Sequence, residues 1–202
     1  MASDLREFWH RFQTGVEVAV AGTSPDVLLG VREGLLRFFH DGLDRPVPVA
    51  VVPQEGGSSE PAHGLALSDE EIVAAARSQS AALRDRLLGS YHLYIGTAGG
   101  LHSLEFGDSE HYFVRNWTSV VSPAGEAVGS SGSIQLPGRL VAGLEREQLP
   151  FAMPGTRRSG GLFSSLTGGL ESRRSAVALS TLHAVSSLFY GVLQSAPVRR
   201  RP

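Results

Sequence analysis

The stretch VEVAVAGTSPDVLLGVREGLLRFF, residues 16 to 39, constrains the fold more than any other part of this chain. Val16 to Val20 is short, apolar and β-branched, which suits a buried strand. A glycine turn follows. Thr23 or Ser24 can then cap a helix whose first turn contains Pro25, where proline costs least. Leu28, Leu29, Val31, Leu35 and Phe38 are expected to form its buried face. Strand-to-helix turns of this kind offer backbone N–H groups to anions. This one has no cationic side chain until Arg32.

VPVAVVP (47 to 53) predicts a second strand bracketed by prolines. SDEE at 68 to 71 has the spacing of a capping box and opens a long helix reaching about Leu88. YHLYIGTAGGLHSLEF (91 to 106) reads as strand, tight turn at Gly96 to Gly100, and strand. In HYFVRNWTSVVS (111 to 122), alternation places Tyr112, Val114 and Asn116 on one side, with Phe113, Arg115 and Trp117 on the other. GEAVGSSGS reads as a connector, and LPGRLVAGLERE as a short helix beginning near Pro137. The glycine- and serine-rich stretch 159 to 169 reads either as a segment able to approach a phosphate or base closely or as a mobile surface loop, and a closing helix runs from about Arg173 to Leu193. Helices alternating with strands, then strands in succession, predict an α/β fold with a mixed central β-sheet flanked by helices.

The expected organisation is an N-terminal helical extension over residues 1 to 14, one α/β domain over 15 to 194, and a basic, disordered tail over 195 to 202. Leu5, Phe8, Trp9 and Phe12 recur at helical spacing, so the added N-terminal amphipathic helix carries an apolar face suited to a protein partner. With 202 residues and 42% hydrophobic content, the chain can bury a substantial core. No apolar run is long enough to span a bilayer, and the start lacks the pattern of a signal peptide, so a soluble, cytoplasmic protein is expected. All 18 basic residues are arginine and cysteine is absent. Schiff-base lysines, thiol nucleophiles and thiolate metal sites are thereby excluded. A net charge of -2 argues against broad nucleic-acid binding.

Glu105, Asp108 and Glu110, with His102 and His111 nearby, form the densest acidic cluster, but their spacing fits a solvated turn better than a metal site. His183, in the closing helix, reads as packed or capped.

In chain order, AGTSPDV, SDEEIVAAARSQSAALR, YIGTAGGL, FVRNWTSVV, IQLPGRL and GLFSSLTGGLESRRSAVALSTLHAVSSLF resemble the landmarks of the inosine/xanthosine triphosphatase family over roughly Val16 to Val192. In the last segment Gly161, Thr167, Gly169 and Arg173 fall at that family's spacing. The resemblance implies an ITPase/Maf-like fold, a homodimer, and Mg2+- or Mn2+-dependent hydrolysis of non-canonical purine nucleoside triphosphates such as ITP and XTP. It places a nucleotide- or phosphate-binding cleft at Thr23, Ser24, Thr97, Arg158, Thr167 and Arg173.

This chain departs from the family where the chemistry is expected. A family Thr-Asn-Pro-x-Lys sequence is matched by Thr23, Ser24, Pro25, Asp26 and Val27, which replaces a phosphate-facing lysine and adds an acid. A glutamate of the family's metal site is matched by Thr97, before Ala98 and Gly99, and an acid expected before the glycine-rich return is missing from PGTRRSGG. The expectation is a divergent, catalytically impaired member that retains nucleotide or phosphate binding, helped by Arg157, Arg158 and Arg173. Two alternatives compete with it. One is an active phosphatase using Glu70, Glu71 or Glu105 as substitute metal ligands; the other is a non-catalytic interaction module.

Overall fold

The computed structural model describes residues 12, 14–42, 46–55, 68–144 and 161–190. Leu5, Phe8 and Trp9 near the N-terminus, Arg157 and Arg158, and the basic segment 195 to 202 lie outside the described residues.

Strand β1 (Val16–Ala21) leads through Gly22 into helix α1 (Pro25–Leu36), and β2 (Val49–Gln54) returns parallel to β1. Helix α2 (Asp69–Leu87) precedes the long hairpin of β3 (Leu93–Phe106) and β4 (Ser109–Ser122). β5 (Gly125–Ser130) and the short β6 (Ile134–Gln135) follow, then α3 (Gly138–Leu144), α4 (Gly161–Thr167) and α5 (Arg173–Leu188). The sheet order is β2-β1-β3-β4-β5, with β6 on β4. β3 joins β1 in parallel and β4 antiparallel, so the sheet is mixed as expected.

Period-two alternation sends Val16, Val18, Val20, Leu93, Ile95 and Val120 to one face, where they pack with Val27, Val31 and Leu35 of α1 and Val177 and Val185 of α5. Ala19, Ala21, Tyr94 and Val121 point the other way and meet Leu83 of α2. Small residues let the layers approach closely. A Cβ on Gly34 would stand 2.4 Å from the Ala178 carbonyl oxygen, and one on Gly96 would stand 2.2 Å from that of Ala76. No side chain fits at either point.

Four sequence expectations change. YHLYIGTAGGLHSLEF contains one continuous strand, because Gly96 serves the close approach of α2 and the chain turns instead at Gly107, where φ is +63°. GEAVGSSGS is largely strand β5, since its backbone pairs with residues 117–122 of β4. Residues 161–167 of the expected surface loop form α4, which buries Phe163 against Leu101 and Val114. Finally, α1 turns Val27 inward and leaves Leu29 partly exposed.

Phe12 is also corrected: it is not available to a partner. It is fully buried and packs against the rings of Phe39, Phe189 and His92. The end of α1 widens into a π-helical turn (Arg37–Asp41), which buries the adjacent residues Phe38 and Phe39 in this aromatic cluster.

Candidate functional site

The last β1–β3 pair is Val20 with Ile95, yet β3 continues to Phe106. A notch therefore opens where β1 stops, at the strand ends where open α/β sheets accept ligands. Gly30 of α1 abuts Arg174 and Val177 of α5, while Gly34 abuts Ala178 and Thr181. Both series ascend, so the helices run parallel and their N-termini share this end of the sheet. The structure thus gathers Thr23, Ser24, Thr97, Thr167 and Arg173 at one end of the fold.

Their side chains play different parts. Thr23 is exposed, and the N-cap residue Ser24 makes no side-chain capping bond. Pro25 occupies the first helical turn beside Asp26. Thr97 is only 1% exposed and faces the α5 side of the sheet. With β1 gone, its N–H donates to Gln79 Oε1 of α2 at 3.1 Å. The Thr167 hydroxyl donates to the Phe163 carbonyl at 2.8 Å and accepts from the Glu171 N–H at 2.9 Å, so it organises the turn before α5. Arg173 opens α5, half-buried, without a hydrogen-bond or ion-pair partner among the described residues.

The acidic candidates do not converge on this notch. Glu70 and Glu71 are exposed in the first turn of α2, and Glu105 is exposed beside the β3–β4 turn, in register with Glu110. Among the described residues, no group of three or more histidines or carboxylates could hold a metal ion. Mg2+ prefers several oxygen ligands in octahedral geometry. A buried threonine hydroxyl at 97 and two exposed acids on one helix turn do not fit it.

A second cluster lies on the opposite face, where α2 meets the same end of β3. Ser68 caps α2 by accepting the Glu71 N–H at 3.1 Å, placing Asp69 in the first helical position. Asp69 accepts from Trp117 Nε1 at 2.7 Å and from Arg115 NH1 at 3.2 Å. Arg115 also donates through Nε to Ser133 Oγ at 2.8 Å, and its NH2 lies 3.2 Å from His102 Nε2. Its guanidinium carbon stands 5.9 Å from the Trp117 ring centroid, while His102 stacks on Phe113.

His102 is 4% exposed, and among the described residues its Nδ1 has no hydrogen-bond partner; Asp69 Oδ1 is 3.9 Å away. Burial and the Arg115 charge push its pKa below the usual histidine value, with Asp69 partly opposing them. Alternation correctly placed Phe113, Arg115 and Trp117 on one face. Their partner Asp69 lies 46 and 48 residues away, beyond the reach of local patterning, and His102 belongs with it and not with the turn acids. Elsewhere His183, exposed on α5, has Nδ1 2.8 Å from the Ser130 carbonyl oxygen.

The architecture defines a mixed-sheet α/β protein with a notch beyond its parallel strands. No family model matches the sequence, and no curated protein does. Among solved structures the chain is similar to protein VC0702 from Vibrio cholerae, with 20% identity over 91% of this chain and 100% of that chain and a TM-score of 0.65. That likeness is one of fold. Among the described residues, no helix is long and apolar enough to cross a membrane.

Proposed function

We propose that this chain is an inosine/xanthosine triphosphatase-like protein that binds a purine nucleotide or phosphoanion at the notch and has left hydrolysis. One observation carries the loss of catalysis: Val27 and Thr97, which stand where the resemblance expects a phosphate-facing lysine and a metal-binding glutamate, are each 1% exposed and packed into the interior. Hydrolysis of a triphosphate needs its developing charge offset and its attacking water activated. Neither a buried valine nor a buried threonine supplies those functions.

Binding makes smaller demands. Thr23, the uncommitted side chain of Ser24 and the guanidinium of Arg173 are suited to a phosphate, and arginine can engage one bidentately. Asp26 opposes this and should keep affinity modest. A cytoplasmic homodimer belongs to the same proposal, with sedimentation as its check.

The test is titration with ITP, XTP, GTP and ATP, with and without Mg2+ or Mn2+, followed by calorimetry and by phosphate or pyrophosphate release. Saturable binding without release is expected. Arg173→Ala should weaken binding by about tenfold or more, the scale of one charge-assisted hydrogen bond. Robust turnover would overturn the loss of catalysis, and no binding at millimolar nucleotide would overturn the retained site.

A further inference from the structure

Among the described residues, His102 is the one histidine, carboxylate or arginine that is buried in the structure. Its hydrogen-bond geometry fixes its chemistry. Arg115 has only donors to offer, so the 3.2 Å contact from its NH2 makes His102 Nε2 the acceptor. The hydrogen of the neutral ring is therefore on Nδ1. Among the described residues the buried Nδ1 has no hydrogen-bond partner, and it stands 3.9 Å from Asp69 Oδ1, beyond hydrogen-bond length.

Among the described residues, the charged groups facing His102 are Asp69 of α2 and Arg115 of β4. The other neighbouring packing surface is the Phe113 ring. Glu105, Glu110 and His111 lie toward the tip of the hairpin; there Glu110 accepts from the Tyr112 hydroxyl and His111 stacks on Phe106.

From this arrangement we propose that Asp69, His102 and Arg115 form an acid-responsive latch that holds the first turn of α2 on the sheet. A proton from solvent can add only at Nε2, the atom that accepts from Arg115. Its arrival removes that hydrogen bond and sets two cations against one another. Among the described residues, Asp69 is the one anion that acts on His102. It moves toward Nδ1–H, gives up its bond from Trp117 or Arg115, and carries the start of α2 with it. Deprotonation reverses the rearrangement. The latch is independent of nucleotide binding at the notch, because Asp69, Arg115 and Trp117 face the side of the sheet away from α1 and α5.

The chain contains two tryptophans, Trp9 and Trp117, so Trp9→Phe leaves Trp117 as the sole indole probe. In that protein, ring-nitrogen NMR should find His102 as the Nδ1–H tautomer at pH 7.5. Lowering the pH should titrate His102 with a midpoint below 6.5, the ordinary histidine value. The Trp117 indole N–H resonance and fluorescence should shift reversibly with the same midpoint while far-UV circular dichroism stays constant. Adding His102→Gln should abolish the Trp117 shift. An Nε2–H tautomer, titration of His102 without a response at Trp117, a shift that survives His102→Gln, or unfolding before either probe responds would each overturn the latch. Should His102→Gln fail to fold, the tautomer and paired midpoints in the Trp9→Phe protein decide the matter.

Discussion

Replacing Gly96 by alanine adds one methyl group where β3 passes beneath α2. That carbon would stand 2.2 Å from the Ala76 carbonyl oxygen, 2.7 Å from Gln79 Cβ and 2.8 Å from Ser80 N. Two of these atoms are helix backbone, which no rotamer change can move. Ordinary contact begins near 3.4 Å, so α2 must retreat by roughly 1 Å. Overpacking of this kind costs about 1–3 kcal/mol. The lower entropy of an unfolded alanine returns about 0.4–1 kcal/mol. A net loss of roughly 1–2 kcal/mol follows, which at an m-value of about 2 kcal/mol/M lowers the urea midpoint by about 0.5–1 M. Gly132→Ala is the control, because nothing lies within 4 Å of its added carbon. Urea unfolding followed by circular dichroism measures both variants. If Gly96→Ala unfolds at or above the midpoint of the parent, the close approach of α2 to β3 is not a structural requirement and the reasoning fails.

Asp69→Ala strands the Trp117 indole N–H and one arm of Arg115, and should cost about 1.5–3 kcal/mol in the same assay. Val27→Lys places an ammonium in the core between the sheet, α1 and α5; a loss of roughly 4 kcal/mol or more is expected by thermal unfolding, with no gain of phosphate release in the Val27→Lys, Thr97→Glu double variant. Because the folded pKa of His102 lies below its unfolded value, the unfolded state binds more protons between the two. Its stabilising contribution is whole above about pH 6.5 and falls as pH drops toward the folded value, so urea midpoints should decline through that window and decline less in His102→Gln. Glu126 acts in a more acidic window. Its hydrogen bond from Arg77 depresses its pKa, so its contribution is present above the ordinary carboxylate range and is lost as pH falls through the folded value; Glu126→Gln should flatten that limb alone.

Local chemistry made much of this fold legible. The Pro25 helix start, the Ser68 cap and the alternation of β4 each depend on neighbours only a few residues apart, and each appears where the sequence places it. Gly96 misled because its demand comes from a distant helix: a turn and a close approach of a helix to a strand look alike in one dimension. GEAVGSSGS misled for a related reason, since β4 supplies the pairing that its own composition does not advertise. Val27 shows the same limit within a helix, where only the direction of the core distinguishes a phosphate-facing position from a packed one. The Asp69 cluster was the least legible. Its members come from α2, β3, β4 and the segment before β6, and only the assembled sheet brings them together.

The early end of β1 also divides the molecule kinetically. Amides of β3 near Leu93 to Ile95 have strands on both sides and helices over both faces, so their hydrogens should exchange only through global unfolding. Past His102, β3 and β4 run on as an arm toward Phe106 and Ser109, where Leu104 and Phe106 are each about half exposed. Exchange there should proceed through local opening at a far smaller free energy. The hairpin can therefore fray repeatedly while the five-stranded end of the sheet remains closed.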